Sequence, residues 1–162
     1  MKALMFLYSL SDSYIDELKK VESKVMHNKE RPYVGPVFQH NGLKWYAPMT
    51  SDKNNETLQA GFIWLFMVFD PDTQKRTAHL SLRNMIPVPD REIHLFDFNK
   101  KGEDYRSLLS KQHLFIKSEQ TRILKKAKTY YEIVVNKQVG EAMLSRSCDF
   151  SKLEAACRSI SK

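Results

Sequence analysis

Three residues near the middle of the chain have the types and spacing to act on a phosphate. In Ala47-Pro48-Met49-Thr50-Ser51-Asp52-Lys53, two adjacent hydroxyls are followed, two residues on, by a lysine. Pro48 is expected to stop the preceding strand. The loop beyond it offers hydroxyl and backbone donors, and one ammonium, to phosphate oxygens. The same string is also ordinary turn chemistry, with Asp52 as an Asx-turn former.

The residues for other familiar chemistries are missing. The five glycines form neither G-x-G-x-x-G nor G-x-x-x-x-G-K-[ST], which argues against nucleotide-binding enzymes of those classes. His27, His40, His79, His94 and His113, taken with Cys148 and Cys157, show no zinc-like spacing, and a nucleophile elbow is absent. No metal and no cofactor is expected. The two cysteines suggest no secreted disulfide scaffold, so the thiols are read as reduced and the protein as cytoplasmic. Met1 to Leu10 lacks a small-x-small cleavage site and reads as a buried first strand rather than a signal peptide. The longest apolar run, 61–69, is far short of the ~20 residues a spanning helix needs, so no membrane partner is expected.

Charge supplies a second signal. The 162 residues carry 26 Lys and Arg against 19 Asp and Glu, a net charge of +7 with pI near 9.4. Between Asn99 and Thr129 lie Lys100, Lys101, Arg106, Lys111, Lys117, Arg122, Lys125, Lys126 and Lys128, opposed by Glu103, Asp104 and Glu119. Nine minus three leaves +6 there and +1 for the rest of the chain. So local a field is better evidence for a polyanion, nucleic acid first, than a high pI alone, and a solvated helix face is the equal alternative.

The elements that must position these groups can be read from periodicity. Ser11 or Ser13 can cap a helix over 14–25, with Ile15, Leu18 and Val21 on one face. Asn41-Gly42 between 33–40 and 43–48 is a type I′ hairpin signal, and Pro36 marks an edge or bulge. Strands are predicted over 61–69, 77–82, 85–88 and 93–96. From Tyr105 the period becomes helical, with Leu108, Leu109, Gln112, Phe115, Ile116, Ile123, Leu124, Ala127, Tyr130 and Tyr131 on one face of a long helix broken near Ser118. Lys111, Lys117, Arg122, Lys125 and Lys128 fall opposite. A last short helix follows 147–150. The order indicates one α+β domain over 1–162 with a mainly antiparallel sheet.

Several strings together resemble a family. Arg31-Pro32-Tyr33-Val34-Gly35, the Asn41-Gly42 hairpin and Tyr46 to Lys53 are similar to the N-terminal signature of the ToxN/AbiQ endoribonucleases, toxins of type III toxin–antitoxin systems. Ser81 to Val88, Tyr105 to Ile116 and Cys148-Asp149-Phe150-Ser151-Lys152-Leu153-Glu154 resemble later segments of that family in the same order. The resemblance implies a highly twisted antiparallel sheet flanked by helices, similar to the MazF/Kid-type toxin fold. It implies metal-independent RNA cleavage leaving a 2′,3′-cyclic phosphate and a 5′-hydroxyl. It further implies an antitoxin that is itself RNA, a pseudoknot processed from a repeat precursor and held in a closed multimeric assembly, and a role in phage defence.

Carried over residue by residue, the resemblance makes Thr50, Ser51, Lys53 and Arg31 catalytic, with His27, Tyr33 and Gln112 as further catalytic or substrate contacts. Asp52 stands where the family has proline. Cleavage by the RNA's own 2′-hydroxyl needs a base, an acid for the leaving 5′-oxygen and cations for the pentacoordinate phosphate. Lys53 and Arg31 fit the cations, and Thr50 and Ser51 fit the orienting of the phosphate. The base is left between Lys53, His27 and His113. Lys111, Lys117, Arg122, Lys125 and Lys126 form an RNA-holding surface, with edges of Trp45 or Tyr130 stacking on unpaired bases. Two other readings stay open: a non-catalytic basic RNA-binding protein, and a protein-partner module with solvated lysines.

Overall fold

A computed structural model describes residues 5–26, 31–51, 62–100 and 102–161. Among them the chain runs β1 (Phe6–Leu10), α1 (Asp12–Val21), β2 (Tyr33–His40), β3 (Leu43–Ser51), β4 (Leu65–Phe69), β5 (Arg76–Ser81), β6 (Ile86–Pro87), β7 (Ile93–Leu95), α2 (Glu103–Ser118), α3 (Gln120–Val135), α4 (Glu141–Arg146) and α5 (Phe150–Ile160). The strands pair antiparallel in the order β4-β5-β3-β2-β1-β7, with β6 added to β3. The architecture is α+β, as the pattern of elements predicts. No helix of the described residues is long and apolar enough to cross a membrane.

The hairpin is as the sequence indicates. Asn41 and Gly42 take φ of 50° and 80°, the left-handed pair that a type I′ turn needs. Pro36 lies in the irregular stretch between Val34 and Phe38, where the β2–β3 register shifts. It marks a bulge, not an edge, because β2 is paired on both sides. Gly35 has a steric reason: a Cβ there would sit 2.4 Å from Cδ2 of Tyr46.

Pro48 does not end β3. The strand continues to Ser51 because its next ladder is built elsewhere: the Met49 amide donates to the Pro32 carbonyl at 3.0 Å, and Met49, Thr50 and Ser51 pair with Leu80, His79 and Ala78. The expected strand over 61–69 is shorter, since Phe62 and Ile63 are exposed and pairing begins at Leu65. The expected strand over 85–88 keeps only the residues that reach Trp45 and Tyr46.

The predicted long helix is two helices. α2 and α3 meet at Glu119 (φ −107°, ψ 10°), one residue past Ser118, whose hydroxyl donates to the Phe115 carbonyl at 2.7 Å. α2 packs on β4 and β1, α3 on β2, and α5 on α1, α3 and β6. Leu124 and Val21, both expected on apolar faces, are 40% and 47% exposed. Helix α4 carried no readable signal in its six residues. Helix α5 starts where Asp149 accepts from the Lys152 amide at 3.1 Å, a standard N-cap.

Trp45 and Tyr130, considered above as base-stacking edges, are 0% and 1% exposed. Trp45 stacks on Phe38 and meets Tyr131 and Phe150 edge-on at the centre of the core. The Tyr130 hydroxyl is engaged with Ser147. The alternation of β3 and the inner face of α3 turn both side chains inward, so neither offers an exposed edge for stacking.

Candidate functional site

The turn after α1 prepares the site by fastening the chain that leads into it. Glu22 is 6% exposed. Its carboxylate accepts from the Asp149 amide at 2.8 Å, the Lys24 amide at 3.0 Å and Lys24 Nζ at 3.1 Å. Burial pushes that carboxyl upward, but the donors outweigh it and hold it below the ordinary range. Asn84 Nδ2 donates to the Lys24 carbonyl at 2.9 Å, and the Tyr33 hydroxyl donates to the Met26 carbonyl at 2.6 Å. Residues 22–26 and the start of β2 are therefore bound to the sheet on either side of the sequence that carries Arg31.

Arg31 is half-buried and immediately precedes Pro32, whose carbonyl is bound by Met49. This brings the guanidinium to the end of β3, where Nη1 donates to Thr50 Oγ1 at 2.6 Å. Its Nε is buried and finds no hydrogen-bond partner among the described residues. A buried guanidinium nitrogen without a partner, next to a guanidinium nitrogen that donates to a hydroxyl, keeps hydrogen-bonding capacity for an anion that reaches the end of β3.

Thr50 pairs directly with His79, and directly opposed residues of an antiparallel pair share a face with Cβ atoms about 5 Å apart. Ser51 pairs with Ala78 and is exposed at the strand end, directed by alternation to the other face. The two hydroxyls, adjacent in sequence, thus approach a ligand from different sides. Lys53, Asp52 and His27 lie outside the described residues.

The other residues singled out in the sequence are dispersed. Tyr33 is 1% exposed, and burial pushes its phenol well above its ordinary pKa, so it stays protonated, with its proton given to the Met26 carbonyl. Gln112 is 1% exposed, and its Nε2 donates to Thr77 Oγ1 at 3.2 Å. That contact ties α2 to β5 two residues from His79. His113 packs against Phe6 and Phe98. Burial and Lys117 lower its pKa.

The five expected RNA-holding cations divide by helix. On α2, Lys111 Nζ is 3.7 Å from Asp70 and 3.4 Å from Asp72 in the β4–β5 turn, so its charge is already matched. Lys117 is exposed over Phe6. Arg122, Lys125 and Lys126 gather on α3. The break at Glu119 thus splits the single stripe expected of one long helix into two.

Next to Thr50 stands His79, and a chain of contacts leads from it to two further residues. Trp64 meets His79 edge-on, with ring centroids 6.2 Å apart, and the Arg83 guanidinium carbon lies 3.6 Å from the Trp64 ring centroid. His79 and Arg83 were legible only as a strand histidine and part of an apolar-strand motif. Their connection to Thr50 depends on β-pairing between distant segments. Among the described residues no three His, Cys, Asp or Glu side chains come together to hold a metal ion.

Comparison with known proteins gives the chain its relatives. Residues 6–158 match the family model described as toxin ToxN, type III toxin–antitoxin system. The chain is 35% identical to the endoribonuclease ToxN of Bacillus thuringiensis subsp. kurstaki, over 93% of this chain and 81% of that protein. It superposes on AbiQ, a lactococcal anti-phage endoribonuclease of a type III toxin–antitoxin system, with TM-score 0.88 and 27% identity over 98% and 99% of the two chains. A second solved structure, from work on selective toxin inhibition by a non-coding RNA pseudoknot in such systems, has TM-score 0.83 and 31% identity over 99% of both chains.

Proposed function

The chain belongs to the ToxN family of type III toxin–antitoxin toxins and is an endoribonuclease of that family, and from that premise we propose that it cleaves RNA at the Arg31–Thr50 end of β3 by attack of the RNA's own 2′-hydroxyl. The observation that carries this reading is the Arg31–Thr50 hydrogen bond, with the buried Arg31 Nε unpaired among the described residues. In the proposed reaction the 2′-oxygen loses its proton and attacks phosphorus. The 5′-oxygen leaves and takes up a proton, giving a 2′,3′-cyclic phosphate and a 5′-hydroxyl without a metal. Arg31 and Lys53 stabilise the charge on the pentacoordinate phosphate. Thr50, held by Arg31, and Ser51, at the open strand end, orient it. Lys53, His27 and His113 are the groups proposed for base chemistry. His79 is close enough to Thr50 to join them.

The same reading gives the protein a folded RNA antitoxin of the pseudoknot kind as inhibitor and partner in a multimeric assembly, cellular or phage RNA as substrate, a part in phage defence, and action in the cytoplasm. It treats 1–162 as one domain and extends the likeness of the antiparallel sheet to the MazF/Kid-type toxin fold. The test is cleavage of a defined RNA in excess chelator, with the new ends identified. Cyclic-phosphate and 5′-hydroxyl ends, lost in Arg31→Ala and Lys53→Ala proteins that fold normally, support the reading. Cleavage abolished by chelator, or unchanged in both variants, overturns it.

A further inference from the structure

The charge on α3 surrounds a hollow. A cavity of about 460 Å³ opens between the start of β4 and α3, its apolar floor including Ile63, Phe66 and Ile133 and its rim carrying Arg122, Lys125 and Lys126. The size is within the range of small-ligand sites, about 300–1,000 Å³. Arg122 and Lys126 lean over the Phe66 ring, 5.7 and 6.0 Å from its centroid. Lys126 is half-buried, and burial together with Arg122 lowers its pKa. Glu119 pairs with Arg122 at 2.8 Å from outside the cavity, and among the described residues no carboxylate lines it.

Three cations converging on an apolar hollow make a different surface from a solvated helix stripe. Exposed lysines facing a duplex need no floor, because a duplex presents only its phosphates and groove edges. A hollow with an apolar base and a cationic rim matches one unpaired nucleotide, with base inward and phosphate on the rim. Its location also fits. Ile63 immediately precedes Trp64, which contacts both His79, the register partner of Thr50, and Arg83. The cavity is thus connected to the cleavage site through residues 63–64.

We propose that this cavity is a binding site for a single unpaired RNA nucleotide, through which the protein selects single-stranded over duplex RNA. The proposal rests on the RNA-cleaving reading above and adds to it a site separate from Arg31 and Thr50. Either a substrate strand or a folded inhibitor RNA can supply the nucleotide.

Ile63 is 38% exposed, so it can be changed without disturbing the core. The experiment measures the binding of a fluorescent 2′-O-methyl oligonucleotide, which the 2′-hydroxyl mechanism cannot cleave, as a single strand and as a blunt duplex. The proteins are wild type, Ile63→Ser, Ile63→Trp and Lys125→Ala/Lys126→Ala. Ile63→Ser should weaken single-strand binding about tenfold and duplex binding less than threefold, while Ile63→Trp should bind the single strand at least as tightly as wild type. The double lysine variant should lose about two from the slope of log affinity against log salt on the single strand. Equal affinity of Ile63→Ser and wild type for the single strand, or equal losses on strand and duplex, overturns the proposal. In a second arm, a loss in kcat/KM on an unstructured RNA assigns the site to substrate, and a loss only in affinity for a folded pseudoknot assigns it to the inhibitor. Wild-type protein that cleaves no RNA sinks the underlying reading instead. Intact cleavage with no response to Ile63 sinks only the cavity.

Discussion

At the scale of single residues, Arg31 gives one nitrogen to Thr50 and keeps a buried Nε unpaired among the described residues. Removing a donor aimed at developing transition-state charge typically costs 10²–10³ in rate. Arg31→Ala should therefore reduce single-turnover cleavage by about 10²- to 10³-fold with RNA affinity changed far less. Arg31→Lys should recover only part of it, because an ammonium lacks the planar fork. A rate within threefold of wild type for Arg31→Ala would remove Arg31 from the chemistry. Thr50→Val keeps the shape and deletes the hydroxyl, and should slow the same step about tenfold or more. These two positions were legible in the sequence through the strings around them. Their contact was not, because 19 residues and a hairpin separate them. His79 was less legible still, since only the β3–β5 register makes a mid-strand histidine a neighbour of Thr50.

Among the elements, the β2–β3 hairpin and the Glu22 turn set the geometry. Gly35→Ala would place a Cβ 2.4 Å from the Tyr46 ring in the hairpin core, an overpacking that costs about 1–3 kcal/mol. A fall in the denaturation midpoint at unchanged m-value is the expected result, and unchanged stability would show that Tyr46 can move aside. Glu22 gives the pH dependence. Its carboxyl is held below its ordinary value in the folded state by the Asp149 and Lys24 donors. Its contribution is complete above the unfolded value of about 4.5 and is lost as pH falls through the folded one. Glu22→Gln should thus flatten the acid side of the stability curve below about pH 4.5, as read by denaturant titrations across pH 3–7. An unchanged acid limb would assign that limb to other carboxylates. The helices show what periodicity can and cannot tell. It located the inward faces of α2 and α3, but Leu124 satisfies the same spacing and is exposed, since a spacing defines a face and not what covers it.

For the molecule as a whole, the +7 charge does not act as one surface. Lys111 is matched by Asp70 and Asp72, which fix α2 to the β4–β5 turn, while Arg122, Lys125 and Lys126 line a common cavity. Lys111→Ala should therefore have little effect on the salt slope of RNA binding, whereas Lys125→Ala/Lys126→Ala should reduce it by about two. Equal changes for the two proteins in salt titrations of affinity would restore the picture of one uniform stripe. The sequence by itself determined the α+β class, the hairpin turn, the inward faces of the helices and the family, because these depend on local propensity, short-range periodicity and ordered motifs. Only the tertiary structure decided that Pro48 lies within β3, that Arg31 meets Thr50, that Trp45 and Tyr130 are core and that three cations surround a hollow. Each of these depends on which distant segment supplies the missing hydrogen bond, the covering side chain or the opposing charge.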